Sequence, residues 1–352
     1  MKKIDILFIM FFCALIVTGV YAQISGKTSF SFLNMPPSAR ITGLGGSVIG
    51  VSDDDINLSA SNPANLNTKM AKQFSFSHGF HFADVQYGFI SYGHYLRKLG
   101  LMAGFGIQYI GYGDFIATND RGIEEGQFGA GDQCFSLTLA KHVAERIHFG
   151  ATLKFANSHI ENYGSKGILA DVGLTYGKDS SNWNLSFVVK NVGYELSTYN
   201  GERYGTPLDV QIGITKKLSH LPLRFAIIGH HLHLANVVYD DPNVSTQTDI
   251  FGESIERSAF SKSVDNIFRH ILVNGEFLLG KSENLKLRIA YDHWRRKELS
   301  LTTFRSLAGF SGGIGISIKG FKIDYGVGYY HVAGATNHLS VRVNMDRFFS
   351  KV

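Results

Sequence analysis

Residues 308–331 read AGFSGGIGISIKGFKIDYGVGYYH, and the alternation in this stretch decides the fold. Large apolar side chains alternate with small or polar ones on either side of Lys319-Gly320. A repeat of two residues is typical of β-strands with one apolar and one polar face. The apolar positions are Phe310, Ile314, Ile316 and Ile318 before the turn, and Phe321, Ile323, Tyr325, Val327 and Tyr329 after it.

The same alternation continues from about residue 73 to residue 345 and predicts fourteen strands. Most of them are longer than the usual globular strand of about 5–6 residues and reach the roughly 9–11 that a tilted strand needs to cross a bilayer. The predicted strands are 73–80, 85–96, 99–112, 131–142, 146–160, 166–178, 182–194, 207–218, 222–234, 268–279, 284–295, 308–319, 320–331 and 336–346.

The connections between these strands alternate in length. Every second one is short, whereas longer ones are predicted at 113–130, 195–206, 235–267 and 296–307. Short turns at one end and long loops at the other are typical of outer-membrane barrels, with both termini on the short-turn side. We therefore expect periplasmic termini and extracellular long loops.

The composition agrees with a β-rich membrane protein. The chain has 352 residues, of which 44% are hydrophobic and 18% charged, with 39 glycines and 13% aromatics. These values exclude a collagen, a coiled coil and a disordered chain. The formal net charge of +5 is not concentrated in a basic run, so we expect no nucleic-acid partner.

Residues 1–22 are typical of a secretory signal peptide. Lys2 and Lys3 precede an apolar stretch, and Val20-Tyr21-Ala22 offers a cleavage site. An N-terminal membrane anchor is the alternative. Cys13 would be lost with the peptide, which leaves Cys134 as the one cysteine of the mature chain and no internal disulfide.

Residues 23–72 precede the strands and lack long alternation, but they are rich in Gly, Ser, Asn and Pro. Fourteen strands enclose a lumen wider than wall side chains alone can fill. The sequence therefore predicts an all-β, transmembrane antiparallel β-barrel of about 14 strands over residues 73–352, with residues 23–72 as a lumenal plug. A large soluble sandwich or solenoid is the alternative, and it does not explain the long strands.

The N-terminal segment also carries an ordered set of short motifs. Ser38-Ala39-Arg40, Leu44-Gly45-Gly46, Asp53-Asp54-Asp55 and Asn62-Pro63-Ala64 follow one another. This order resembles the opening of the FadL/PorV-type outer-membrane barrels, where such a run forms the plug. The resemblance marks Arg40, Gly45, Gly46, Asp53, Asp54, Asn62 and Pro63 as plug residues.

Further stretches resemble the barrel components of the type IX secretion system. They are residues 26–34, 36–40, 108–115, 190–194, 239–242 and 331–338. The resemblance implies a non-enzymatic member of a surface attachment complex that processes secreted cargo and links it to lipopolysaccharide. The implied partners are a PorZ-like surface protein, a PorU-like sortase and a PorV-like barrel, together with lipopolysaccharide and outer-membrane lipid. The alternative is a FadL-like transporter of hydrophobic solutes.

Three groups of residues suggest other chemistry. His230, His231 and His233 could bind a metal or could be an interfacial histidine run. Asp53-Asp54-Asp55 with Asn57 could bind calcium, or could form a plug turn that pairs with lumenal Arg224, Arg288 or Arg342. Ser158 and His159 are adjacent on a strand and point to opposite faces, so they form no catalytic pair. We expect no enzymatic activity, no cofactor and no metal.

The 235–267 connection is the longest, and loops of more than about 12–15 residues are usually functional or disordered. It is either a surface cover or a contact surface for an exported partner. Aromatic side chains contribute strongly to interfaces. The candidate docking residues are Tyr239, Asp240, Asp241, Phe251 and Phe260.

Overall fold

The computed structural model describes residues 28–81, 85–177, 182–238, 258–299, 307–331 and 334–346. Within these residues, fourteen antiparallel strands form a closed barrel in which each strand pairs with its neighbours in sequence. The first and last strands pair through Gln73 and Asn344 and so close the ring. The predicted antiparallel β-barrel of fourteen strands is confirmed, whereas the predicted signal peptide lies outside the described residues.

The strand and helix bounds define the labels used below. The helices are α1 (Ala39–Gly43), α2 (Ala259–Arg269) and α3 (His293–Glu298), and short 3₁₀ turns lie at Ser31–Asn34, Ile56–Ala60, Pro63–Asn65 and Thr68–Met70. The strands are β1 (Gln73–Phe80), β2 (Gln86–Leu96), β3 (Leu101–Thr118), β4 (Glu124–Ala144), β5 (Ile147–Ile160), β6 (Tyr163–Tyr176), β7 (Trp183–Ser197), β8 (Asp209–Lys217), β9 (Leu223–Gly229), β10 (Ile271–Leu279), β11 (Leu285–Asp292), β12 (Phe310–Ile318), β13 (Phe321–His331) and β14 (Gly334–Asn344).

Two predicted loops are wrong in part. Residues 113–130 are mostly strand, because β3 and β4 extend to a turn at 119–123. A register shift between Gly111 and Asp114 marks a bulge where this hairpin continues. On β9 and β10 the strands are instead shorter than predicted. The predicted strand 222–234 ends at Gly229. The predicted strand 268–279 begins only at Ile271, because α2 occupies the residues before it.

The two faces of the wall differ as the alternation predicts. On β5, Leu153 is 58% exposed while its neighbour Thr152 is buried. The outward positions on the other strands are likewise large, apolar and exposed, among them Phe76, Phe135, Ile289 and Ile323. A continuous apolar belt of this kind is stable against lipid rather than water. Among the described residues, no helix is long and apolar enough to cross a membrane.

The outward face of β5 provides a test of this membrane assignment. Leu153→Arg should impair folding into lipid vesicles, because Arg on the lipid face near the midplane costs about 2–4 kcal/mol. Leu99 is the matched control, since it is 62% exposed but lies in the turn after β2. Leu99→Arg should fold normally. The folded fraction is measured by the heat-dependent shift on detergent gels, and equal folding of both variants would contradict the assignment.

Candidate functional site: the lumen and the segment before β1

Residues 28–72 contact the inward-facing side chains of strands around the ring. The backbone N–H of Ala39 donates to Ser340 Oγ on β14 (2.8 Å). Asn57 Nδ2 donates to Ser75 Oγ on β1 at 2.9 Å. Asn62 Nδ2 donates to Thr175 Oγ1 on β6 at 3.3 Å. Because β6 lies across the closed barrel from β14 and β1, the segment spans the lumen, and we call it the lumenal segment.

Glycines on the inner wall allow the lumenal segment to pack against the strands. A Cβ at Gly326 would overlap the carbonyl oxygen of Ala39, at the start of α1. A Cβ at Gly150 would overlap the backbone of Pro63 in the same way. The small residues on the polar faces of the strands thus leave room for backbone, which the alternation pattern alone does not show.

Gly45 and Gly46 end α1. Their φ angles of 85° and 90° lie in the left-handed region that favours glycine. The N–H of Gly46 donates to Ile41 O at 2.8 Å and satisfies one of the last carbonyls of the helix. A Cβ on Gly45 would also lie 2.9 Å from Leu272 Cδ1 on the wall. Both backbone conformation and close packing therefore require glycine at Gly45.

Asn62 and Pro63 begin a 3₁₀ turn. Asn62 Oδ1 accepts from the N–H of Ala64 (2.9 Å), while its Nδ2 donates to Ile49 O (2.7 Å). Pro63 follows at the first position of the turn, where a missing N–H costs nothing. The motif thus caps a turn and joins two parts of the lumenal segment.

Arg40 is the centre of a buried ion-pair cluster in the half of the lumen with short turns. Its side chain is 1% exposed. Its Nη2 lies 2.7 Å from Asp53 Oδ2 and 2.9 Å from Glu276 Oε2 on β10. Its Nη1 lies 3.2 Å from Asp55 Oδ2. One guanidinium therefore joins two carboxylates of the lumenal segment to one of the wall.

Basic residues on the wall complete the ion-pair cluster. Arg224 on β9 contacts Asp53 (3.0 Å) and also Glu276. Arg342 on β14 lies 3.3 Å from Asp55 Oδ1 and 2.8 Å from Asp324 Oδ2. The further members are Arg288, which contacts Glu276 at 2.8 Å and Asp324 at 2.7 Å, and Lys322, which contacts Asp54.

The structure thus pairs the aspartate run with cations of the wall. Of the three arginines that the sequence suggested, Arg224 and Arg342 make these contacts. Arg288 instead contacts the wall acids Glu276 and Asp324. Sequence analysis missed these two acids and the central position of Arg40. The sequence did contain a signal for these acids, namely a carboxylate on a strand face whose other residues are small or polar, such as Asp324 in β13.

The electrostatics of the cluster favour the ionised forms. Burial alone would raise the pKa of Asp53, but Arg40 and Arg224 hold that pKa well below its usual value. Burial opposes the charge on Arg40, yet Asp53 and Glu276 raise its pKa above the ordinary value. Each charge is therefore compensated only while its partners stay in place, so removal of one member leaves the buried cluster with an uncompensated charge.

An apolar cluster fills the other half of the lumen, toward the longer loops. It is formed by side chains of the lumenal segment and of β2 to β6: Phe30, Phe32, Leu33, Tyr87, Ile110, Cys134, Ala156 and Leu169. A cavity of about 40 Å³ beside it is lined by apolar side chains such as Leu33 and Phe89 and by polar ones such as Thr138, Thr152 and Lys154. A recess of about 380 Å³ opens at the short-turn end and is lined instead by charged residues such as Asp54, Lys69 and Lys322.

The histidine run lies just beyond β9. The Nδ1 atoms of His230 and His231 are 2.7 Å apart, and the ring of His231 lies 4.1 Å from that of Trp294. Burial lowers the pKa of His231 to about 4. Within the part of the chain that the structure describes, no group of three His, Cys, Asp or Glu side chains could hold a metal ion.

The predicted docking residues are only partly described. Tyr239, Asp240, Asp241 and Phe251 lie outside the described residues. Phe260 lies on α2 with its ring 80% exposed. The structure therefore shows the position of one of the five, which lies on a surface.

Comparison with known proteins identifies the fold. No family model matches the chain, and no curated protein matches it. The chain is similar to the solved structure of the Pseudomonas putida toluene transporter TodX, with 11% identity, a TM-score of 0.50, and coverage of 88% of this chain and 96% of that one. A deltaS2 mutant of the TodX monoaromatic hydrocarbon channel gives 12% identity, a TM-score of 0.50 and coverage of 88% and 97%.

A Pseudomonas aeruginosa FadL homologue is also similar, at 11% identity and a TM-score of 0.43, over 91% of this chain and 99% of that one. Identities this low establish the fold alone. The chain thus has the fold of outer-membrane barrels such as TodX, and the solved structures named here do not support a role in type IX secretion.

Arg40 provides the test of the ion-pair cluster. Arg40→Ala should lower the free energy of unfolding by about 3–5 kcal/mol, because Asp53, Asp55 and Glu276 lose their shared cation and the cluster is left with an uncompensated buried charge. The urea midpoint in lipid vesicles, followed by tryptophan fluorescence, measures this loss. Arg121→Ala, in the exposed turn after β3, is the control and should leave the midpoint unchanged. Equal midpoints for the two variants would show that the cluster does not hold the lumenal segment.

Proposed function

We propose that the protein is an outer-membrane passage for hydrophobic solutes. The observation that carries this proposal is the apolar cluster around Phe30, Phe32 and Leu33, which lies in the lumen beneath the longer loops. Small-molecule sites are concave and mostly apolar, with a few polar groups at their edge. The fold, which is shared with the toluene transporter TodX, supports the same proposal.

Passage requires the lumenal segment to move. Drug-sized ligands occupy pockets of roughly 300–1,000 Å³, whereas the cavity beside the apolar cluster is about 40 Å³. Phe30, Phe32 and Leu33 occupy the space that a solute would need. We infer that residues 28–35 swing away from β2–β6 and expose an apolar pocket, while the rest of the lumenal segment stays.

The contacts of the lumenal segment are consistent with movement of residues 28–35 alone. Residues 28–35 are held by hydrogen bonds from Ser29 Oγ to Glu195 (2.9 Å) and from Gln108 to Phe32 O (3.0 Å). Phe30 has a φ of 59°, a conformation that costs a non-glycine residue about 1–3 kcal/mol. The residues from Arg40 onward are held by the ion-pair cluster instead, so the first part is the easier one to release.

Uptake by proteoliposomes tests the passage. The protein should admit a radiolabelled monoaromatic hydrocarbon or fatty acid faster than empty liposomes do. Phe32→Ala should raise the rate several-fold, because it removes a ring from the closed pocket. Phe135→Ala makes the same change on the lipid face, where Phe135 is 47% exposed, and should have no effect. No uptake above that of empty liposomes by any of the three proteins would reject the passage.

An anchor in a type IX attachment complex is the second candidate. The stretches that resemble barrel components of the type IX secretion system, PorQ in particular, favour it, as does the small size of the cavity beside the apolar cluster. In this role the barrel would hold a PorZ-like protein at the surface beside PorU-like and PorV-like components. The long loops would then be extracellular, and the lumenal segment would need no movement.

A pull-down in mild detergent from native membranes separates the two candidates. A stoichiometric exported partner, lost when residues 243–257 are replaced by a Gly/Ser linker, is the result expected of an anchor. Surface-loop length has only a weak effect on stability, so the shortened barrel should still assemble. Recovery of the barrel with bound lipid and no protein partner would contradict the anchor and favour the passage.

A further inference from the structure

Helix α2 presents an apolar stripe that no described part of the protein covers. Phe260 is 80% exposed, Ile267 60% and Phe268 53%. Together with the half-buried Val264, these residues follow the spacing of one helix face. An exposed apolar stripe of this size on a surface helix indicates a contact with a membrane or with another protein.

The opposite face of α2 is fixed to the protein, which sets the orientation of the stripe. Asn266 Nδ2 donates to Ala235 O at 2.9 Å, and its Oδ1 accepts from the N–H of Val237 at 2.9 Å. Asp265 Oδ1 lies 3.3 Å from His293 Nε2 and 3.4 Å from Lys297 Nζ, and both of these residues belong to α3. Because the polar face is turned inward, the stripe faces away from the barrel.

The stripe is continuous with the lipid-facing wall. The ring of Phe268 lies 6.0 Å from that of His293. The Nδ1 atom of His293 lies 2.9 Å from the hydroxyl oxygen of Tyr291 and shares a hydrogen bond with it. Tyr291 in turn lies 4.9 Å from Phe310, an exposed outward residue of β12. This aromatic line leads from the apolar belt up to the helix.

The wall beneath α2 is also the shortest part of the barrel. Strands β9, β10 and β11 have 7, 9 and 8 residues, against 18 and 21 for β3 and β4. At about 3.3 Å per residue and a tilt of roughly 45°, seven residues rise only about 16 Å. The lipid-facing band of an outer-membrane barrel is about 25 Å tall.

From these observations we propose that α2 lies in the leaflet on the long-loop side, with Phe260, Ile267 and Phe268 against lipid acyl chains. It completes the apolar belt above β9–β11. A helix suits this place because it satisfies its own backbone hydrogen bonds, which a lipid-exposed loop cannot do. The helix lies along the interface rather than across the membrane, with Lys262 on its polar side.

Site-directed spin labelling tests this placement in proteoliposomes of the purified protein. Nitroxides are attached one at a time at Ile267→Cys and Lys262→Cys in a Cys134→Ala background. Their accessibility to oxygen, which partitions into hydrocarbon, is compared with that to a water-soluble nickel chelate. Leu153→Cys on the lipid face and Leu99→Cys in the turn after β2 give the two reference values.

The label at 267 should match the lipid reference, with an oxygen-to-chelate ratio several-fold above that of the label at 262. A label at 267 that is as open to the chelate as the label at 99 would overturn the proposal. A label screened from both reagents would overturn it too, because protein rather than lipid would then cover the stripe. Gel heat-modifiability confirms that each labelled variant is folded before it is compared.

Discussion

The guanidinium of Arg40 connects the two parts of this molecule. A barrel of fourteen strands encloses more space than its own wall fills, so a second part of the chain occupies the lumen. Arg40 contributes by contacting Asp53 and Asp55 of the lumenal segment and Glu276 of the wall at the same time. Because buried charges are tolerated only when paired, the position of the segment and the position of the wall depend on one another.

The lumenal segment is held differently at the two ends of the lumen. The ion-pair cluster lies toward the short turns, and the apolar cluster of Phe30, Phe32 and Leu33 lies toward the longer loops. The ion pairs fix the chain at the first end, whereas residues 28–35 are held by apolar packing and by hydrogen bonds to Glu195 and from Gln108. This division permits local movement of residues 28–35 without unfolding the rest, which is what a passage for hydrophobic solutes requires.

Sequence analysis predicted the fold well because alternation in a barrel wall is a local property. Each inward residue such as Thr152 and each outward residue such as Leu153 can be assigned from its neighbours. The predictions failed where the strands of the wall are much longer or shorter than the others. The β3–β4 hairpin extends beyond the band, and the chain above β9 forms α2, and neither feature is encoded by a period of two alone.

The candidate site was harder to predict because its contacts join residues far apart in the chain. The aspartate run could be matched with Arg224 and Arg342 by charge, but several cations satisfied that condition equally. Arg40 and Glu276 are 236 residues apart, and their pairing depends on strand register. The motif around Gly45 and Gly46 indicated a turn, while its fit against Leu272 required the structure.

The central claim is that the lumenal segment, held by the ion-pair cluster, closes the barrel. Single-channel recording of the unaltered protein in planar lipid bilayers tests this claim most directly. The account predicts no steady ionic current at moderate voltage, because the lumenal segment packs against the wall and its buried charges are paired. A large, steadily open pore in the intact protein would contradict it.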